Sequence, residues 1–160
     1  MDDAARALAL WEIGQLPIRY ALAIDSRDVE MMAQAFSETS DAGKWGKGRE
    51  GLRAFYRSRW KRFRRSIHAV SNHMIELTSD TTAKGTVYCQ AQQEDPQTGG
   101  WVNMRFAYQD DYVKEDGRWV FHLRVIRFWY KEVGGVKDAG EGKNDGLPEA
   151  WSTWRDYWAD

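Results

Sequence analysis

The spacing of apolar residues changes once along this chain, near residue 65, and that change limits the folds open to it. Before it, large apolar side chains recur every three or four residues; after it, every second one. In residues 4–24, Leu8, Trp11, Ile18 and Leu22 fall at helical spacing while Arg6, Glu12 and Arg19 lie off that line. A helix buried along that stripe is expected, and Pro17 should kink or divide it. Residues 29–36 read as a short second helix with Ser26 or Asp28 as its cap. The polar stretch 37–48, SETSDAGKWGKG, has room only for a short strand and turns. Residues 49–63 give the clearest helix, with Leu52, Phe55, Tyr56, Trp60 and Phe63 on one face and Arg53, Arg57, Lys61 and Arg64 on the other.

Four strand-like runs follow, at 66–78, 82–92, 101–114 and 118–130. They are joined by Ser79-Asp80, by an EDPQTGG loop and by Asp116-Gly117, the last a strong hairpin signal. Helices first and an antiparallel meander afterwards predict an α+β domain over residues 1–133, with the helices on one face of the sheet. Residues 134–146, GGVKDAGEGKNDG, have the composition of a flexible linker. Within 147–160, Trp151, Trp154 and Trp158 fall three and four apart, which predicts a short C-terminal helix with an aromatic face.

Composition excludes several classes of function. A net charge of −1 supplies no field to recruit nucleic acid or an anionic membrane. The basic run RSRWKRFRR, residues 57–65, places its rings on the apolar helix face and its charges opposite, the pattern of a solvated amphipathic helix. A single cysteine, Cys89, precludes an intrachain disulfide or a thiolate metal cluster, and suits a reducing compartment. The acidic start MDDAARALALWEIG is not a secretory signal, and no apolar run approaches the roughly 20 residues of a membrane helix. Cytoplasm is the expected location. The nine Trp, seven Tyr and six Phe exceed what a core of this size needs, so rings are expected to line a pocket or a subunit interface.

Few residues can carry chemistry. Asp25 shares a helical face with Ile18, Ala21 and Leu22, so it either has a buried partner or caps the segment starting near Ser26. His68, on the face of Val70, Asn72 and Met74, is the natural partner, although a core-facing histidine can be purely structural. His73, of opposite parity, should face the other side of the sheet, and His122 is a third candidate. Three histidines without metal-ligand spacing make a metal site improbable. Arg124 shares parity with His122, Ile126 and Phe128; it either pairs with a carboxylate such as Asp110 or awaits an oxyanion. Tyr20, five residues before Asp25, would be turned away from it in an unbroken helix.

Over about residues 8–130 the chain resembles SnoaL-like proteins of the nuclear-transport-factor-2-like superfamily. The matching pieces are RYALAID, GREGLRAFY, IHAVSNHMIEL and AYQDDYVKEDGRWVFHLR. The likeness is strongest to the branch of scytalone dehydratase, hexachlorocyclohexane dehydrochlorinase and bile-acid dehydratase. It implies a strongly bent sheet, a cone-shaped α+β barrel with the helices in its concavity round a deep pocket. It further implies a homodimer or homotrimer formed through the outer face of the sheet. The branch implies a cofactor-free lyase working through an Asp–His dyad, here Asp25 and His68, with Arg124 and Tyr20 stabilising negative charge. On that reading Tyr56, Trp60, Asn72, Phe106, Tyr108, His122 and Phe128 would bind the substrate, Trp45 would add a wall and the terminal tryptophans a lid. A phenolic, bicyclic or diaryl compound, such as one derived from lignin, fits those walls, and elimination could run through a quinone methide with loss of water or formaldehyde. Two other readings stay open: the non-catalytic small subunit of an aromatic-ring dioxygenase, which would co-purify with an iron-bearing partner, and a small-molecule binding module.

Overall fold

A computed structural model describes residues 1–138. The chain opens with helix α1, Asp3–Ser26. Asp2 caps it, its Oδ1 accepting from the Ala5 amide at 2.8 Å, and Arg27 closes it in the left-handed conformation at φ 57°. Helix α2, Val29–Gln34, is capped by Asp28, whose Oδ1 accepts from the amides of Glu30 (3.1 Å) and Met31 (2.9 Å). Ser26 instead donates to the Leu22 carbonyl. Helix α3, Gly48–Arg59, continues into a 3-10 turn at Trp60–Arg62.

Two expectations about α1 need correction. It runs through Pro17 as one element of 24 residues. Of the two outcomes expected at Pro17, division does not occur: the proline lacks an N–H donor but is fully buried, as is Ile13 four residues earlier, within the continuous helix. The buried stripe is also not the one expected. Leu8, Trp11, Ile18 and Leu22 are 55, 60, 52 and 57% exposed, while Ala9, Ile13, Leu16, Tyr20, Ala23 and Ile24 face the core. The helix is apolar on two opposite faces, and the larger side chains lie on the face the sheet leaves uncovered.

The sheet has five antiparallel strands in chain order: β1 (Ser66–Leu77), β2 (Thr82–Glu94), β3 (Trp101–Glu115), β4 (Arg118–Val133) and β5 (Val136–Asp138). Asp116 and Gly117, at φ 48° and 78°, form the expected tight hairpin between β3 and β4. Gly134 and Gly135, at φ 57° and 82°, turn the chain into β5, so the stretch read as linker begins as a hairpin. The remainder of that stretch and the tryptophan segment lie outside the described residues.

Register shifts between Ser71 and Met74, between Arg105 and Phe106, and between Asp111 and Tyr112 bend the sheet. The concave face holds α1 and α3 over a core of rings and aliphatic side chains, including Tyr20, Phe36, Tyr56, Trp60, Phe106, Tyr108, Tyr112 and Phe121. Gly85 stands where a Cβ would come within 2.9 Å of the Tyr112 ring and 3.0 Å of the Met74 carbonyl, so glycine there lets the ring cross β2.

The first shift overturns two assignments. Asn72 and His73 face one residue of β2, with Asn72 at φ 48°, and the extra residue reverses the parity of the rest of β1. Met74 turns outward, 74% exposed, while Ile75 and Leu77 pack against the core. His73 comes to the Tyr112 hydroxyl at 3.0 Å rather than facing away from it.

Candidate active site

The last turn of α1 lies beside the start of β1, and this juxtaposition creates the site. Asp25 Oδ1 accepts from the Ser66 hydroxyl at 2.7 Å and stands 2.7 Å from His68 Nδ1; Oδ2 accepts from the His68 amide at 2.8 Å. Asp25 therefore pairs with the histidine and does not cap the next segment. Burial pushes its carboxyl up, but the bonds from the His68 ring, the Ser66 hydroxyl and the His68 amide outweigh that and hold it below its ordinary value. Such a carboxylate only accepts, so Nδ1 carries a proton towards it and Nε2 is the ring nitrogen turned away from the pair. The His68 side chain is 5% exposed and that of Asp25 25%. Nε2 has no protein partner among the described residues, and His68 lines the cavity enclosed between helices and sheet.

That cavity has a volume of about 260 Å³. Tyr20, Tyr56, Trp60, Phe106, Tyr108 and Phe128 wall it, together with Ile24, Phe36, Phe55, Phe63, Met104 and Ile126. Tyr20 reaches it although the helix is unbroken, because the α1 face that carries Tyr20 and Ile24 is the one turned to the hollow, whereas Asp25 acts there through His68. The Tyr56 hydroxyl donates to that of Tyr20 at 3.0 Å, which leaves the Tyr20 proton available to a ligand. Burial raises the pKa of both phenols, so both remain protonated.

Arg124 also lines the cavity, and the carboxylate partner weighed for it is present. Its Nε donates to Asp110 Oδ1 at 2.7 Å and its Nη2 to Oδ2 at 2.6 Å, with the two side chains 3 and 0% exposed. Its guanidinium carbon lies 3.9, 4.0 and 4.3 Å from the ring centroids of Tyr108, Phe121 and Tyr20. Burial disfavours its charge, but the Asp110 carboxylate reverses this and raises its pKa, so the cation is permanent. Nη1 and the Trp60 Nε1 are buried donors with no acceptor among the described residues. Behind the pair, Tyr112 donates to Asp110 Oδ2 at 2.8 Å, so His73 Nε2 must donate to Tyr112. Burial lowers the His73 pKa to about 4, which keeps it neutral.

Two expected members of the site lie elsewhere, and one sits at its edge. The bulge turns Asn72 out to an exposed position on another groove. Trp45 is 37% exposed in a 3-10 turn and does not line the cavity. His122 is an exposed residue of the cavity lining, 3.4 Å from the Thr39 hydroxyl. Ser66 went unnoticed in the sequence, though it shares strand parity with His68 two residues on. No group of three or more His, Cys, Asp or Glu that could hold a metal ion occurs among the described residues.

Helices filling the concavity of a bent antiparallel sheet, with a carboxylate-backed imidazole lining the hollow, define a nuclear-transport-factor-2-like cone. The chain belongs to the SnoaL-like domain family, which matches residues 5–125. Solved structures agree with the fold. A type 2 hexachlorocyclohexane dehydrochlorinase (LinA) is 20% identical with a TM-score of 0.76, over 89% of this chain and 100% of that one. The type 3 LinA of Novosphingobium barchaimii is 21% identical with a TM-score of 0.74, over 92% and 99%. A protein described as a scytalone dehydratase from Novosphingobium aromaticivorans is 23% identical with a TM-score of 0.72, over 89% and 100%. No curated protein matches the chain by sequence. No helix among the described residues is long and apolar enough to cross a membrane.

Proposed function

We propose that this protein is a lyase that needs no cofactor and eliminates a leaving group from a small aromatic or phenolic substrate by acid–base catalysis. The observation that carries the reading is the 2.7 Å contact between Asp25 Oδ1 and His68 Nδ1, with the opposite ring nitrogen unpartnered among the described residues and turned to an aromatic-walled hollow. Nε2 takes a proton from a substrate carbon or phenol. The electron pair released moves towards the adjacent carbon and expels hydroxide, which recovers the proton and leaves as water. Asp25 holds the ring in the productive tautomer and stabilises the imidazolium, as the orienting carboxylate of a hydrolase triad does, here without a nucleophile. Tyr20 and Arg124 donate to the oxygen on which negative charge develops.

The ring walls and modest volume support a substrate built on one or two aromatic rings rather than a sugar or nucleotide. A para-hydroxyphenyl compound losing a benzylic hydroxyl would give a quinone methide. Where the next carbon bears a hydroxymethyl group, C–C cleavage with loss of its hydroxyl proton would then release formaldehyde and restore the aromatic ring. Dehydratase and dehydrochlorinase relatives share the fold, which supports elimination as the reaction class.

The test is turnover of a panel of phenolic benzylic alcohols by the wild type, His68→Ala and Asp25→Asn. Wild-type turnover is expected, with each variant slower by about 10²–10⁴-fold and its circular dichroism unchanged. Unaltered rates in either variant, or a wild type inert across the panel, would overturn the reading.

A further inference from the structure

Helix α1 carries a second apolar stripe that the described chain leaves more than half exposed. Leu8, Trp11, Gln15, Ile18 and Leu22 succeed one another at intervals of three, four, three and four residues, the a and d positions of a heptad repeat. The four apolar members are 52–60% exposed, and Gln15 is half-buried at the centre. Isolated exposed leucines are ordinary, but four large apolar side chains on one line of one helix mark a contact surface.

The residues beside the stripe indicate what covers it. Glu12 and Arg19 lie seven residues apart on the same flank, and neither makes an ion pair among the described residues. The opposite flank carries Gly14, where an added Cβ would meet nothing within 4 Å.

We propose that α1 pairs antiparallel with α1 of a second copy of this chain, about a two-fold axis passing near Gln15. Antiparallel helices bring equivalent flanks together, so Glu12 faces the partner subunit's Arg19, and Arg19 faces the partner subunit's Glu12. The same register sets Leu8 beside the partner subunit's Leu22, and Trp11 beside the partner subunit's Ile18. Every apolar member of the stripe is thereby matched, as a closed two-fold interface requires. A parallel pair would instead set the charged flank against the Gly14 flank and leave both charges unmet. The two Gln15 amides meet near the axis, where a polar pair fixes register. This surface is separate from the outer sheet face, and the proposal does not depend on the chemistry at His68.

Sedimentation equilibrium of the full chain at micromolar concentration tests it. The wild type is expected as an even-numbered species whose mass halves in Ile18→Glu. Glu12→Arg and Arg19→Glu should each raise the dissociation constant about tenfold, corresponding to about 1.4 kcal/mol, and the double exchange should restore it. Gln15→Cys treated with a short bis-maleimide should give a covalent dimer, Cys89 being buried. Circular dichroism checks that each variant is folded. A monomeric wild type would overturn the proposal, as when the stripe is covered by the chain's own C-terminal tryptophans. So would a mass unaffected by Ile18→Glu, charge variants that the double exchange fails to rescue, or no cross-link at Gln15.

Discussion

At Arg124 the two readings left open by the sequence coexist. The cation is clamped by Asp110 on two nitrogens, and a third nitrogen is buried without an acceptor among the described residues. Replacing Asp110 with alanine leaves that buried charge uncompensated. The expected loss is about 3–5 kcal/mol of unfolding free energy, read by urea denaturation. Cys89 shows the opposite case, a titratable group with no chemistry. Burial pushes its thiol up to about 12, so it carries almost no thiolate at neutral pH. Iodoacetamide should leave it unmodified in the native protein and alkylate it within minutes in urea, a contrast that mass spectrometry resolves. Asp25 and His68 were legible in the sequence because short motifs in a fixed order marked them. Ser66, whose hydroxyl completes the carboxylate's shell, was not, because a serine at a strand start has many uses.

Among the elements, strands and hairpins were the most legible, since period two and Asp-Gly carry their own geometry. Gly117 at φ 78° makes that geometry testable. Gly117→Ala should cost about 1–2 kcal/mol, measured by thermal unfolding, because an L side chain is strained there. The bulge at Asn72 and His73 was not legible. One extra residue in β1 turns Asn72 and Met74 out and brings His73 to Tyr112, and no local signal announces it. Helix α1 misled for a different reason. Its two opposite faces are both apolar, and the choice between them belongs to the sheet.

Across the whole molecule, stability should decline on mild acidification. The folded pKa of His73 is about 4, below its ordinary 6.5, and that of Asp25 is also lowered. In both cases the unfolded chain binds more protons in the acid range, so unfolding becomes easier as pH falls. For His73 the window runs from about 6.5 down to about 4. Thermal midpoints measured across that window should fall, and His73→Gln, which keeps a donor for Tyr112 but does not titrate, should flatten the decline.

The order of helices and strands and the hairpin at Asp116-Gly117 were set by the sequence alone, and likeness to a known family marked Asp25 and His68, whose contact the structure then supplied. Local periodicity and turn chemistry depend only on neighbouring residues, and the dyad sits within short recognisable segments. The tertiary structure alone decided which face of α1 is buried, which way β1 points beyond Ser71, and which of the chain's rings line the hollow. Those outcomes depend on how a bent sheet closes over its helices, a property of contacts between residues far apart in the chain.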